Sequence, residues 1–380
     1  MKPLKINIIQ ELSESGKLTG ILLLIATILS LVFANSIIGY TDIYQIKVGY
    51  GILTKSIEHW VNDGLMAVFF FLVGLEIKRE VLAGELSDVK KSGLSLISAL
   101  GGVALPALIF VIFNYGTEYI HGWAIPTATD IAFSLGILSL LGNRVPISLK
   151  LFLTGLAVID DLIAVLIIAV FYTSEINMMY LLYSGVAVLV LILLNRFKVL
   201  NTFAYILVGL FLWFFFLKSG VHATIAGVLL AMFIPLSKVE HIEHSLHKWV
   251  NYLIMPIFAL VNTAIVFDAN SLANINSTLS HGISMGLVFG KGLGIFLFAY
   301  LGVKLGIASL PQDSNFKHII GIAFIAGIGF TMSIFISKLS FADLELINTS
   351  ILSVIIGSII SGIIGYVILS RVNHKERIVK

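Results

Sequence analysis

Long runs of apolar residues constrain this chain more than any other feature of its sequence. Twelve runs of about 17–25 residues follow one another, separated by short connections. A run of this length crosses a bilayer as one α-helix, whereas a barrel strand needs only about ten residues of alternating character. The sequence therefore predicts an all-α integral membrane protein with 12 transmembrane helices. The predicted spans are 18–38, 60–76, 93–115, 122–141, 148–172, 178–195, 201–217, 220–236, 248–268, 283–306, 318–338 and 347–370.

The composition excludes most soluble classes of protein. Hydrophobic residues make up 58% of the 380 residues and charged residues only 12%. A soluble domain carries about 25% charged residues, and a chain of this size could not bury so much apolar surface in one or two cores. The net charge of +3 is small, and no basic cluster suits nucleic acid. The absence of cysteine excludes disulfides, a cysteine nucleophile and thiolate metal sites.

The basic residues give the predicted spans an orientation. With the N-terminus inside, nineteen of the 24 Lys and Arg residues face the cytoplasm, four face outside and Lys291 lies within a span. Cytoplasmic loops are enriched in Lys and Arg, so this asymmetry predicts an even number of spans and two cytoplasmic termini. We expect one membrane domain over 1–380, with a cytoplasmic segment at 1–17, an external loop at 39–59 and a cytoplasmic tail at 371–380.

A pair of adjacent aspartates is the strongest local signal for function. Asp160 and Asp161 lie in an otherwise apolar span, where an ionisable residue is costly and indicates a functional site. Adjacent helical side chains point about 100° apart, so the two carboxylates line one polar sector instead of sharing a proton face to face. Such a sector suits protons and cations. The alternative is a structural pair bonded to neighbouring helices.

Two predicted spans are interrupted by residues that weaken a helix. In the fourth span, Pro126 and the polar stretch ending at Asp130 allow either a new half-helix from Ile131, with Asp130 as its N-cap, or a kinked continuous helix. In the eleventh span, Gly327 and Gly329 allow a break or a close-packed helical face. Each span is the second of a group of three. The pairing predicts inverted repeats, helices 3–5 and 10–12, with two crossed broken helices, 4 and 11.

A single lysine lies deep inside the tenth predicted span. Lys291 stands about eight residues from the span end, between two glycines. One interpretation makes it the counter-ion of Asp160, Asp161 or Asp130. The other is a lysine whose long side chain reaches the membrane surface.

Several long motifs carry a resemblance to a known family. The segments WVNDGLMAVFFFLVGLEIKRE, GWAIPTATDIAFSLGILSLLGNRVP, GLAVIDDLIAVLIIAVFY, LKSGVHATIAG and GIGFTMSIFIS resemble the NhaA-type sodium–proton antiporters. The resemblance covers about 12–370. Members of this family exemplify the inverted-repeat transporter, so the resemblance and the interrupted spans imply the same fold.

The resemblance also implies roles for single residues. Asp160 and Asp161 match the family's ion-binding pair, and Lys291 matches its buried lysine. Thr129 and Asp130 match the residues at the break of the fourth helix, and the resemblance implies that they bind Na+ or Li+ and H+ together with the aspartate pair. Asp63 matches the aspartate of the second helix and is expected, with Lys291, to contribute to transport coupling. The residues that the resemblance associates with the pH response are Glu76, Arg79, Glu80, His222, Glu243 and His244.

The implied activity is exchange of cytoplasmic Na+ or Li+ for external H+ in a bacterial cytoplasmic membrane. Na+ favours carboxylate, hydroxyl and carbonyl oxygens, and protons compete for the same carboxylates. Exchange should therefore rise at alkaline pH, and it is electrogenic if two protons cross per sodium. The implied protein is not an enzyme, needs no cofactor, and has Na+, Li+ and H+ as its transported ions. A sodium-coupled symporter of an organic solute is the alternative; an intramembrane aspartyl protease would need a Gly-x-Gly-Asp motif that the chain lacks.

The first external loop predicts an interface. Its loosely alternating residues, with Gly49 and Gly51 near the middle, favour a short β-hairpin over a disordered loop. An isolated hairpin leaves its edges unpaired, and pairing with a second copy would satisfy them. The hairpin also resembles the family's dimer contact, so we predict a homodimer through residues 44–54.

Overall fold

Helices dominate the part of the chain that the structure describes. The structure is a computed structural model, and it describes residues 2–84, 89–173, 176–267 and 274–372. Within these residues, seven helices are long and apolar enough to cross a membrane, and two bent helix pairs raise the number to as many as nine. The class of all-helical membrane protein is thereby confirmed. The 12 spans stay a prediction.

Seventeen α-helices and two β-strands follow one another along the described residues. The helices are α1 (Lys2–Ser36), α2 (Asp42–Gln45), α3 (Ile57–His59), α4 (Met66–Ala83), α5 (Val89–Asn114), α6 (Ile131–Leu140), α7 (Ile147–Phe171), α8 (Met178–Arg196), α9 (Thr202–Ser219), α10 (Ile225–Phe233), α11 (Leu236–Trp249), α12 (Met255–Asn262), α13 (Thr278–Met285), α14 (Gly292–Lys304), α15 (Phe316–Ile325), α16 (Phe330–Ser340) and α17 (Leu344–Arg371). The strands are β1 (Lys47–Val48) and β2 (Lys55–Ser56).

Tighter and wider helical turns connect several of these elements. The 3₁₀ segments are Gly51–Leu53, Glu118–Thr127, Gly142–Arg144 and Asn274–Asn276. The π-helical segments are Trp60–Leu65, Val250–Ile254 and Gly286–Lys291. Wide turns of this kind are rare and are found frequently at functional sites. Two of the three contain residues predicted to act in transport, Asp63 and Lys291.

The chain divides into two compact units, each built from separated segments. Unit 1 comprises Met1–Ile25, Glu85–Ala164 and Ile265–Lys380. Unit 2 comprises Ala26–Gly84 and Val165–Ala264. Both interrupted spans, the aspartate pair and Lys291 belong to unit 1, whereas Asp63 and the residues predicted for the pH response belong to unit 2.

Both interrupted spans are broken in the structure. The 3₁₀ segment that ends at Thr127 meets α6 at 43°, and α15 meets α16 at 48°. Between the first two, Ala128 and Asp130 adopt extended backbone conformations, so the fourth span is not a kinked continuous helix. Each break exposes helix ends inside unit 1, and those ends need hydrogen-bond partners there.

Glycines allow α5 and α14 to approach closely in unit 1. A Cβ on Gly101 would lie 2.3 Å from the Gly294 carbonyl oxygen, and one on Gly290 would lie 2.6 Å from Pro106 Cα. Any larger side chain at these positions would force the two helices apart. This close approach positions Lys291, which ends the π-helical segment beside Gly290.

The external loop contains a small antiparallel strand pair. Lys47 pairs with Ser56 and Val48 with Lys55. Gly49 has φ +125°, and a Cβ there would lie 2.3 Å from the Leu53 carbonyl oxygen, so only glycine fits this turn.

Candidate ion-binding site

One carboxylate holds the N-terminal ends of two half-helices in unit 1. Asp130 is the N-cap of α6, and its Oδ1 accepts a hydrogen bond of 3.0 Å from Phe133 N–H. Its Oδ2 accepts a 3.2 Å bond from Thr331 N–H, in the first turn of α16, and a further bond from the Thr331 hydroxyl. Helix N-termini carry unpaired N–H groups and a partial positive charge, so a single negative charge stabilises both ends.

The backbone oxygens freed at the breaks are also bonded. Asp130 N–H donates to Ile328 O at 2.7 Å, and the Thr129 hydroxyl donates to Ala326 O at 2.8 Å. The Ser134 hydroxyl donates to Ile325 O at 3.1 Å. The two breaks therefore lie against each other and supply each other's missing partners.

A buried ion pair lies in the same unit. Lys291 Nζ is 2.6 Å from Asp160 Oδ2, and the two side chains are 0% and 1% exposed. Lys291 is thus a counter-ion, and the interpretation as a lysine that reaches the membrane surface is excluded. The other Asp160 oxygen, Oδ1, is buried and has no hydrogen-bond partner among the described residues. A buried carboxylate oxygen without a donor is ready to accept a proton or a cation.

Two more predicted residues lie around this pair. The Thr129 hydroxyl and backbone N–H are close enough to Asp160 to interact with it electrostatically. Asp161 is 2% exposed and contributes to the field at Lys291. The structure thus gathers Thr129, Asp160, Asp161 and Lys291 into one site, whereas both oxygens of Asp130 are already occupied by hydrogen bonds.

Asp63 lies in unit 2 with a partner that the sequence analysis missed. Its Oδ2 is 2.9 Å from His59 Nε2, and these side chains are 19% and 37% exposed. Its backbone carbonyl accepts a 2.8 Å bond from Trp213 Nε1. The i, i+4 spacing of His59 and Asp63 was the available signal, since such pairs face each other on a helix.

A charged cluster in unit 2 contains four of the residues predicted for the pH response. Arg79 Nε is 2.8 Å from Glu243 Oε2, and Arg79 Nη1 is 3.0 Å from Glu80 Oε1. Glu76 interacts electrostatically with all three. Burial raises the pKa of the Glu243 carboxyl, on α11 before the predicted span, and Arg79 opposes that rise.

The two histidines predicted for the pH response have different surroundings. His222 Nε2 lies 2.5 Å from the Tyr172 backbone oxygen. His244 lies on the exposed face of α11. Neither belongs to the ion pairs formed by Arg79.

The sequence is similar to known sodium–proton antiporters along most of its length. Residues 10–369 match the family model described as Na+/H+ antiporter 1. The Na(+)/H(+) antiporter NhaA of Cytophaga hutchinsonii is 51% identical over 353 residues, which cover 91% of this chain and 90% of that protein. The Na(+)/H(+) antiporter NhaA 2 of Erythrobacter litoralis is 49% identical over 363 residues, covering 92% and 90%. The NhaA of Vibrio campbellii is 48% identical over 373 residues, covering 96% and 95%.

The shared cap at Asp130 predicts a graded loss of stability. Asp130→Ala removes both caps and should lower the free energy of unfolding by about 1–4 kcal/mol, because each lost cap costs about 0.5–2 kcal/mol. Asp130→Asn keeps one acceptor for Phe133 N–H but cannot accept from Thr331, so its loss should be about half as large. Thermal unfolding of the purified protein measures the order.

Asp343→Ala is the matched control. Asp343 is the exposed N-cap of a single helix, α17, where it accepts from Glu345 N–H. Its loss should be smaller than that of Asp130→Ala. Equal stability of Asp130→Asn and the unmodified protein would contradict the shared cap.

Proposed function

The chain belongs to the Na+/H+ antiporter 1 family, and from that premise we propose that it exchanges cytoplasmic Na+ or Li+ for external H+ at the Asp160–Lys291 site. It is a multi-pass membrane transporter and not an enzyme, and its antiporter relatives need no cofactor. The observation that carries the proposed mechanism is the unbonded Oδ1 of a buried aspartate whose other oxygen is paired with a lysine.

Because the site is buried, its net charge must stay close to zero, and this requirement couples Na+ binding to proton release. The Asp160–Lys291 pair is neutral, and an uncompensated charge inside a protein is strongly unfavourable. A bound Na+ therefore requires that the site release positive charge, and protons are the charge it can release. Asp160 and Asp161 supply the carboxylates at which the two cations compete.

The proposed ligands for Na+ are oxygens that still have lone pairs free to bind a cation. Within the described residues no donor forms a well-aligned hydrogen bond with Asp160 Oδ1, although the Thr129 hydroxyl and N–H lie close to this carboxylate. The Thr129 hydroxyl oxygen keeps lone pairs while it donates to Ala326 O. Asp161 supplies the second carboxylate. We assign Asp130 a different role: it balances the positive ends of α6 and α16 and leaves the ion to the other two aspartates.

Lys291 is proposed to stabilise the site when no Na+ is bound. It holds Asp160 ionised through the pair, and Na+ would take over that task when it binds. If two protons leave per sodium, one of them from Lys291 is the simplest source, and exchange is then electrogenic. Asp63, beside His59, is proposed to contribute to coupling from unit 2.

Exchange in everted membrane vesicles tests the proposal. Vesicles acidified inside by respiration should lose their pH gradient on addition of Na+ or Li+, and the rate should rise with pH because fewer protons then occupy the carboxylates. Asp160→Asn and Asp161→Asn should abolish the response at every pH. A fluorescent pH-gradient dye reports it.

Asp343→Asn removes the exposed carboxylate at the N-cap of α17. This variant controls for loss of charge alone and should keep the normal rate. Exchange that persists in Asp160→Asn, or the absence of any response to Na+ in the unmodified protein, would refute the proposal. The sodium-coupled symporter considered from the sequence gains no support, since the three relatives described above are named as antiporters.

The pair of Arg79 and Glu243 is proposed to adjust the pH dependence. Arg79 opposes the raised pKa of Glu243, so its removal should keep Glu243 protonated to higher pH. If ionised Glu243 favours the active state, Arg79→Gln shifts half-maximal exchange to higher pH. Exchange rates measured across a pH series give the shift.

Two further variants make this test specific. Glu243→Gln has no carboxyl to titrate, so adding Arg79→Gln to it should produce no additional shift. Lys238→Gln removes a positive charge elsewhere on α11 and should leave the profile unchanged. An acid shift in Arg79→Gln would contradict the assignment.

We also propose that the strand pair β1–β2 joins two copies of the chain. Within the part of the chain that the structure describes, each strand pairs only with the other, which leaves edges able to pair. Deletion of residues 44–54 should give monomers that still exchange Na+ for H+. The mass of the purified protein in detergent, measured by light scattering, tests this, and an unchanged dimer would refute it.

A further inference from the structure

A second buried oxygen in unit 1 has no hydrogen-bond partner among the described residues. Besides Asp160 Oδ1, the hydroxyl of Ser98 on α5 is unbonded, and this residue is 0% exposed. A buried hydroxyl without a partner is unfavourable and rare, and its usual explanation is an internal water. Ser98 is used neither in the caps at the breaks nor in the ion pair.

Helical geometry places Ser98 on the side of α5 that leads to this ion pair. Gly102 follows Ser98 by one turn, and a Cβ on Gly102 would lie 3.7 Å from Lys291 Cδ. Ser95 precedes Ser98 by nearly one turn, and its hydroxyl donates to the Phe152 backbone oxygen of α7 at 3.5 Å. Residues at this spacing share one helical face, which we call the serine face: Ser95, Ser98 and Gly102.

The serine face thus lies against α7 at one level and against Lys291 at the next. Ser98 is about 6 Å along the α5 axis from Gly102, the distance of four residues. Asp160, two turns beyond Phe152 on α7, is paired with Lys291 at 2.6 Å and therefore lies on the Lys291 side of Ser98. Ser98 Oγ is therefore a buried, unbonded oxygen about one turn of α5 away from the contact between Gly102 and Lys291.

We propose that the serine face is a hydrated path that carries the proton between the Asp160–Lys291 pair and the Val89 end of α5, with Ser98 as its relay. The inference rests on the exchange proposed above and names the route of its proton. A hydroxyl donates one hydrogen bond and accepts others. A proton from one water forms a new bond to Ser98 Oγ as the original Oγ–H proton leaves to the next water, so serine is unchanged.

The chemistry of this face favours protons over Na+. Ser95 and Ser98 offer only two hydroxyls, one of them already bonded, whereas a hard cation needs several oxygen ligands with negative charge. Hydroxyls and water suffice for a proton.

The absence of cysteine from the chain allows a direct test of hydration. Ser98→Cys introduces a single thiol, and only water-exposed thiols form the reactive thiolate readily. Ser184→Cys is the matched control, because Ser184 is 2% exposed and its hydroxyl is satisfied by Tyr180 O. A small, hydrophilic thiosulfonate should modify Ser98→Cys at least about tenfold faster than Ser184→Cys. Equal rates would overturn the hydrated path, whether or not the protein exchanges ions.

Transport by two further variants tests the relay. Ser98→Ala should lower the maximal exchange rate and increase its slowing in D2O, with the KM for Na+ within about twofold of normal. Ser98→Thr keeps the hydroxyl and should restore the rate. A normal rate in Ser98→Ala, or a change confined to the KM for Na+, would overturn the relay.

Thermal unfolding separates these outcomes from misfolding. If Ser98→Ala does not fold, the labelling rates and Ser98→Thr decide the matter. Absence of exchange in the unmodified protein would refute the proposed function instead, and the labelling result would still stand.

Discussion

The ion pair between Lys291 and Asp160 is the interaction on which the candidate site in unit 1 depends. At 2.6 Å and with both side chains buried, each charge is tolerable only because the other is present. Removal of one partner from a buried pair typically costs about 3–5 kcal/mol, whereas replacement of both by apolar groups is often neutral. Stability therefore does not account for the pair. Its proposed value lies in keeping Asp160 ionised until a bound Na+ takes over from Lys291.

Two aspartates of this unit, Asp130 and Asp160, have different tasks, and their hydrogen bonds distinguish them. Asp130 accepts bonds on both oxygens and balances two helix ends, so its charge is committed to the fold. Asp160 has one oxygen paired and one unbonded, so its charge is available to a ligand. Broken helices make this division possible, because they bring positive helix ends that need a negative charge into the same unit as the ion pair.

Local signals in the sequence predicted the class of protein and the positions of both breaks. Run length indicated membrane helices, and Pro126 and the glycines at 327 and 329 marked the interruptions. The partner of Lys291 could not be chosen among three aspartates, because the contact joins residues 131 positions apart. For the same reason Asp130 was grouped with the ion ligands: Thr331, which occupies its second oxygen, is 201 residues away. The π-helical turn before Lys291 has no local sequence signature.

Hydration is the property that links the two unbonded oxygens to transport. A site that binds Na+ must strip water from the ion, and a proton path must keep water in place, so one uniform environment serves neither well. Charged ligands around Asp160 can replace the water of Na+, while the uncharged hydroxyl of Ser98 can only hold water or pass a proton. Separate surroundings on adjacent helices would let Na+ and H+ meet at one carboxylate without sharing a route. In the proposed mechanism the two ions are coupled at the site itself, because the buried pair cannot hold the transported proton and Na+ together.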